Sequence, residues 1–553
     1  MGAGLSPGLV RVCYPPPAMI RATAGRKRLA ALVAGALLAG TLVLRPHGAG
    51  AEEPPAAPSP AASATAGATT HGDVGAPPPT ASAVPPPPTH SERIGSIGKH
   101  YRQRSLFVSR SLDRLAWADV RGDDRCRIVV DRSPGAWHAR CTNPLMSPDG
   151  STVTYFASEK VEEAPSVRLI VDEQASPVEV GGEGPVAFAE HGKAWATIAP
   201  ARARRPAADG PTPNAAPPRR MVAFSSAGAL GEYHDTTAPV VSADGAHVAF
   251  VASDSGGNQR LIVDGKVARD FGSPTVEFIP VVKQNRPGPN LEPEAMVRFL
   301  SDGSLAGIAL GENGWTVFHG DETWASYPGI RLPESTGFEV TGSPLLDRPA
   351  VMGGSLVAAA KAPVACWWQR RDGGIEQWQV VCNGKPVDEQ LCNAPSPGQP
   401  IVVTPDGKSV MYVCEIVPEP GPDGKVDPKN LWVVANGRKF GPHRFVWGLD
   451  LSADGKHHAF AAADGIEDDW FYQFDDRRFT GPWQHTFPPT ISPDGKSIAW
   501  AASPYADGKR VDLVRNGVLT TRGDIVMAPP RWTGDSIEFA VKRGRSVRRV
   551  VID

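Results

Sequence analysis

The sequence has no surplus of charge of either sign. Lys and Arg total 57 against 59 Asp and Glu, a formal net charge of −2. Without a basic footprint, a nucleic-acid surface is excluded on electrostatic grounds. There is no HExxH, no phosphate-binding loop and no GxGxxG opening a helix, so metallopeptidase, nucleotide and dinucleotide chemistry lack their carriers. Gly4-Leu5-Ser6-Pro7-Gly8 matches Gly-x-Ser-x-Gly but has no strand–helix context. No C-x-x-C spacing occurs, and no His accompanies the cysteines at ligand spacing, which argues against zinc. The repeat region shows no convincing helical periodicity. The apolar run Leu29 to Leu44 stops at sixteen residues, short for a hydrocarbon core of about 30 Å. No catalytic constellation emerges, and neither cofactor nor metal is expected.

What is abundant is turn-forming residues. Gly (58) and Pro (56) make up about a fifth of 553 positions, as in short strands joined by tight turns. At the N-terminus, Arg26, Lys27 and Arg28 precede the apolar run, and Ala49-Gly50-Ala51 follows it. A basic segment, a short apolar run and small residues at −3 and −1 read as a secretory signal over residues 1–51, with Met19 as an alternative start. An uncleaved anchor helix is the competing reading. Cys13 lies upstream of the apolar run, the wrong side for a lipid anchor. Residues 52–92 follow as a linker, with 11 Pro among positions 52–90. Such a stretch has little to bury and is expected to be disordered.

Residues 93–553 read as a repeat domain. Ser147-Pro148-Asp149-Gly150 and Ser492-Pro493-Asp494-Gly495 have variants at Ser242, Thr404 and Ser452. Three residues after each Gly stand Val153, Val248, Val410, Ile498 and Ile537. Five residues after stand Tyr155, Phe250, Tyr412, Phe460, Trp500 and Phe539. Apolar residues two apart indicate a strand with a buried face. Pro pre-sets φ, Asp or Ser caps local N–H groups and Gly takes φ > 0, so the aspartates are structural. A second signal, Asp264-Gly265, Asn383-Gly384, Asn436-Gly437 and Asn516-Gly517, marks a further hairpin. Each unit is thus a four-stranded antiparallel meander. Units centre near 112, 150, 192, 245, 303, 354, 407, 455, 495 and 534. Gly354 with Val357 and Gly192 with Trp195 are the weakest. Ten units over residues 91–553 give a period of about 46, that of propeller blades. The expected fold is an all-β propeller of about 8–10 units, one large ring in preference to two smaller ones. The last unit is one strand short at Val550-Val551-Ile552-Asp553, and the segment Arg93 to Val108 is expected to complete it.

Ser-Pro-Asp-Gly-Lys followed by Ile-Ala-Trp, with Val-Asp-Gly-Lys in a later strand, resembles the TolB-type, WD-repeat-like β-propellers of bacterial envelope proteins. The resemblance covers roughly residues 105–553. It implies the fold rather than a function, because the shared residues are turn and core ones. TolB proper has an α/β domain where this chain has its Pro-rich segment. Prolyl-oligopeptidase-type enzymes pair such propellers with a hydrolase domain, which is not evident here.

Cys126, Cys141, Cys366, Cys382, Cys392 and Cys414 form an even set, which favours disulfides in an exported chain. Cys126 with Cys141 and Cys366 with Cys382 each flank a candidate hairpin and read as cross-strand staples. The last four allow three pairings, with 366–382 and 392–414 the first of them. Trp367, Trp368, Trp378, Trp470, Tyr472, Trp483 and His485 fall outside the apolar columns. Aromatics exposed in loops mark recognition surfaces, and of these Trp367, Trp368, Trp470, Tyr472, Trp483 and His485 are the candidate binding residues. Blade-to-blade packing is the competing reading. His458 breaks an apolar column and reads as a hydrogen-bonded core histidine. Glu467-Asp468-Asp469 and Glu419 to Asp427 read as solvated loops, and Arg543, Arg545, Arg548 and Arg549 as a solvated strand face. Pro-rich insertions lie near 200–220, 280–296 and 415–430.

The whole reads as a periplasmic or extracellular, monomeric, non-enzymatic ring. Its expected partner is a protein or envelope component, with no nucleic acid and no lipid anchor. An enzyme with its site in the central funnel, or a structural envelope protein, are the alternatives.

Overall fold

In a computed structural model, strands Val153–Ser158, Val248–Ser253, Val410–Glu415, His458–Ala463 and Ile498–Ser503 each follow a turn of the Ser-Pro-Asp-Gly type. The structure describes residues 89–553 apart from 103–104, 123–124, 161–165, 203–219, 274–295, 313, 328–349, 352–355, 372–376, 397–400, 418–429, 466–468, 506–509 and 524. The signal and most of the Pro-rich segment therefore lie outside the described residues.

The turn works as expected at the level of atoms. In 492–497 the Ser492 hydroxyl donates to Asp494 at 2.6 Å and accepts the Ser497 N–H at 2.9 Å. Asp494 also accepts the Lys496 N–H at 3.1 Å, and Gly495 takes φ 73°. The same bonds recur at Ser147, Ser242, Thr404 and Ser452.

Each sheet runs antiparallel from a central to an outer strand, and there are ten sheets. Blades 1 to 9 span residues 107–134, 140–180, 186–233, 235–272, 296–327, 350–386, 394–443, 445–480 and 485–523. Blade 10 combines Ile525–Thr533, Ser536–Arg543 and Ser546–Ile552 with Thr89–Ser96. All ten repeat units are thus blades. The N-terminal strand does supply the missing fourth strand, pairing Thr89 with Ile552 through Ser96 with Ser546. It begins earlier than expected and is finished by Ser96, while Phe107–Val108 is the central strand of blade 1.

The core is a circle of seams rather than a centre. Ten apolar clusters each straddle one blade boundary, and the tenth, with Ile97, Leu115, Trp117 and Val547, joins blade 10 to blade 1. That closes a single ring. Side chains alternate across a strand, so the aromatic column faces the preceding blade. Tyr155 packs with Cys126 and Ile128, and Trp500 packs with Tyr472 and Phe474. Small neighbours such as Ala499 and Ala501 face the next blade. Each large side chain contributes about 1.5–3 kcal/mol by leaving water.

One register expectation is corrected. In blade 6 the inter-strand turn closes between Ala359 and Val364, not at Gly354. Val357–Ala358 is therefore on the central strand, and Ala365–Arg370 is the second strand. Trp367 then occupies the aromatic column itself, where it is fully buried. The motif was hidden because this turn, Ala359 to Val364, contains no glycine.

The Asp/Asn of the outer hairpin does more than turn the chain. Asp131, Asp172, Asp264, Asn383, Asn436, Asp475 and Asn516 all take positive φ, between 46° and 51°. Each also accepts the N–H that opens its blade's second strand, at 2.8–3.1 Å. Replacing Asn516 with Ala removes that acceptor from the Ile498 N–H and leaves a residue poorly suited to positive φ. We expect a loss of about 1–3 kcal/mol by urea unfolding. Asn516→Asp should cost much less, since Asp fills the same role in four other blades.

All three first-choice disulfides form. Cys366–Cys382 is a cross-strand staple inside blade 6, with Cα atoms 4.1 Å apart. Cys126–Cys141 is not cross-strand. It ties the third strand of blade 1 to the central strand of blade 2. Cys392–Cys414 likewise ties the end of blade 6 to the second strand of blade 7. Two of the three staples therefore cross apolar seams. The expected hairpin between the two cysteines forms, but Cys126 faces His138 across it, and Cys141 already belongs to the next blade.

Candidate binding surfaces

The meander gives the ring two unlike ends. At one end are the Ser-Pro-Asp-Gly turns and the outer Asp/Asn hairpins. At the other are the links from second to third strand and from one blade to the next. We call these the turn end and the connection end.

At the turn end the polar groups are engaged in the turns. The Ser492 hydroxyl and the Lys496 N–H hold the Asp494 carboxyl down at about 2. Asp149, Asp244, Asp302, Asp406 and Asp454 are lowered as well, through bonds of the same kind with Ser, Thr and backbone N–H groups. They are caps, as expected from the sequence.

The connection end varies. Gly311 and Gly314 are joined tightly, whereas Pro200 and Met221, Gly272 and Met296, Tyr327 and Ala350, and Glu415 and Leu431 are joined by long links. The residues 203–219, 274–295 and 418–429 of the expected insertions, Glu419 to Asp427 and Glu467-Asp468 lie outside the described residues.

The candidate aromatics divide. Trp367, Trp368, Tyr472 and Trp483 are buried, so the expectation that they stand exposed in loops is corrected. They fill seams. Trp367 stacks on Trp324 with centroids 5.9 Å apart, and Trp368 meets Tyr412 edge-on at 5.1 Å. Tyr472 stacks on Trp500 at 4.5 Å, and Trp483 meets both rings edge-on. The Tyr472 hydroxyl donates to the carbonyls of Phe487 and Ala501. Trp470 and His485 keep part of their surface open at the connection end. Trp470 stacks at 6.3 Å on Phe445, which is 38% exposed and carries the Arg444 guanidinium 5.6 Å from its ring. Burial holds the His485 imidazole below its ordinary range.

Histidine–acid contacts are dispersed. His138 meets Glu159 at 3.0 Å, His443 meets Asp464 at 2.8 Å, and His457 meets Asp475 at 2.7 Å. His443 is packed among Phe460 and Phe471, and His458 lies against Phe440. Burial pushes the His458 pKa down, as suits the core role read for it. Among the described residues, no three His, Cys, Asp or Glu side chains gather as a metal would require.

Sequence reasoning missed Asp450. It lies on the central strand of blade 8 and accepts the Ile491 N–H of blade 9 at 2.7 Å. Burial pushes its carboxyl up to about 7 against the opposing backbone bonds. The signal was available: an acid inside the apolar run Val446 to Leu451.

No family profile matches the chain, and no curated protein matches it. Solved structures do, propellers among them. A eukaryotic initiation factor is 13% identical, covering 79% of this chain and 93% of its own, with TM-score 0.37. The β-propeller domain of the Trilobed protease from Pyrococcus furiosus, described as having an open velcro topology, is 9% identical, covering 62% and 94%, with TM-score 0.26. An oligogalacturonate lyase from Vibrio parahaemolyticus is 10% identical, covering 84% and 98%, with TM-score 0.28. At such values the likeness decides nothing about this chain. Its fold rests on its own sheet order and seams.

Proposed function

We propose that this β-propeller is an exported, non-enzymatic binding protein of the cell envelope, TolB-like in its repeat, which holds a protein or envelope component at the connection end of the ring. The observation that carries this reading is the contrast between the ends. The turn end repeats one set of internal bonds, whereas the connections differ in length from blade to blade. Variable connections on a rigid frame are where binding groups collect. The dispersion of the histidine–acid pairs around the ring, each engaged in packing, favours binding over funnel chemistry. Three disulfides, two of them across seams, suit an oxidising compartment.

The test is a cross-linked pull-down from envelope extracts with the folded, oxidised protein. A stoichiometric partner should be captured. It should be lost when 274–295 is replaced by a short Gly-Ser link, and kept when Lys408, Lys456 and Lys496 at the turn end become Glu. Capture that survives the first change and fails after the second would place binding at the wrong end.

A further inference from the structure

We propose that the cleft over the connection end of blade 2, closed on one side by Arg102, binds a carboxylate carried on a small apolar molecule. This stands apart from the macromolecular partner above and does not depend on it. The cavity has a volume of about 500 Å³, within the range of small-molecule sites.

One wall is cationic and held in place. The Arg102 N–H donates to the Ala118 carbonyl at 2.7 Å, and its Nη1 donates to the Cys141 carbonyl at 2.9 Å. Cys141 is itself fixed by the disulfide to Cys126 and by strand pairing with Ala157. A guanidinium has five N–H donors, so one bond to a carbonyl anchors Arg102 without exhausting it. Arg140 precedes Cys141 on the same short strand, is exposed, and has no carboxylate partner among the described residues. Phe156, Ala157 and Val167 contribute apolar edge to the lining, Phe156 and Val167 from the seam toward blade 3, and the acid among the described lining residues is Glu183.

Among the described lining residues, two guanidinium groups and one carboxylate leave a single positive charge beside an apolar surface. A monocarboxylate satisfies that balance, and planar guanidinium groups match its two oxygens. A dianion such as phosphate would bring one charge too many and nothing to cover the apolar wall.

Isothermal titration of the oxidised full chain with hexanoate, acetate and inorganic phosphate tests this. Hexanoate should bind saturably. Acetate should bind at least about tenfold more weakly, because it cannot cover the apolar wall. Arg140→Ala should weaken hexanoate about tenfold or more. Glu183→Lys should strengthen it, an opposite change that loss of folding cannot mimic. Arg168→Ala should leave it unchanged, since Arg168 is engaged with Glu179 outside the cleft. No saturable heat below about 20 mM, hexanoate binding indifferent to Arg140→Ala, or phosphate displacing hexanoate would each overturn the proposal.

Discussion

Removing residues 89–97 should lower the melting temperature by on the order of 10 °C and drive the protein into oligomers. Thr89–Ser96 is the outer strand of blade 10, and its seven paired residues run along Ser546–Ile552. Its loss exposes that strand's free edge, a template for pairing with a second chain. The strand is mostly exposed, so its ladder contributes about 0.5–1.5 kcal/mol per bond rather than core burial. The larger loss is Ile97. It is 3% exposed and belongs to the seam to which blade 10 otherwise gives Val547 and the half-buried Ile94. Every other seam draws several side chains from both blades, so this one is the weakest point of the ring. Ile97→Ala, which keeps the strand, should cost about 2–5 kcal/mol without oligomers. Calorimetry and size-exclusion chromatography read both variants. An unchanged melting temperature in the deletion would mean that the ring does not depend on this strand.

The ring was legible because its repeat is local. A tight turn needs Gly at positive φ, a capping Ser and an Asp, and these recur wherever the turn recurs. Blade 6 was harder to place, since its turn has no glycine, and Trp367 was set outside the column it fills. Blade 1 keeps the turn with Leu112 at φ 57° in the glycine position. Its alignment held through Ser109, whose hydroxyl caps the Arg114 N–H. Spacing put the observed disulfides first but left three pairings open for the last four cysteines, and it did not show that two pairs cross seams, because spacing does not say where one blade ends. The candidate site was less legible. Trp367, Trp368, Tyr472 and Trp483 are as aromatic as a recognition surface requires. Whether such a ring faces solvent or the neighbouring blade depends on register, which shifts by whole faces with one residue. The carboxylate cleft had no linear signal at all, since Arg102, Arg140 and Glu183 come from three separate segments.

Four arginines near the C-terminus looked like a solvated face, and one of them is not. Arg549 on the third strand of blade 10 bonds to Glu538 on the second, which is 1% exposed. Arg531 on the central strand donates to the same carboxylate at 2.8 Å, and its Nη1 reaches the Arg110 carbonyl of blade 1 at 3.2 Å. The ion group therefore spans three strands of the closing blade and touches the next. Glu538→Ala leaves the Arg531 and Arg549 guanidinium groups without their shared carboxylate, and because both keep part of their surface in water it should cost about 1–3 kcal/mol. Replacing all three residues together, Glu538→Leu with Arg531→Met and Arg549→Met, should cost far less, because no charge is stranded. Burial pushes the Glu538 carboxyl up, but the bonds from Arg549 and Arg531 outweigh it and hold it below its ordinary value. Its contribution is then complete above the unfolded pKa of about 4.3 and fades as the pH falls through the lower folded value. The penalty of Glu538→Ala should accordingly shrink between pH 7 and pH 3, measured by urea unfolding at each. A penalty below about 1 kcal/mol at pH 7, or one equal at both pH values, would show that the three charges do not act as one group.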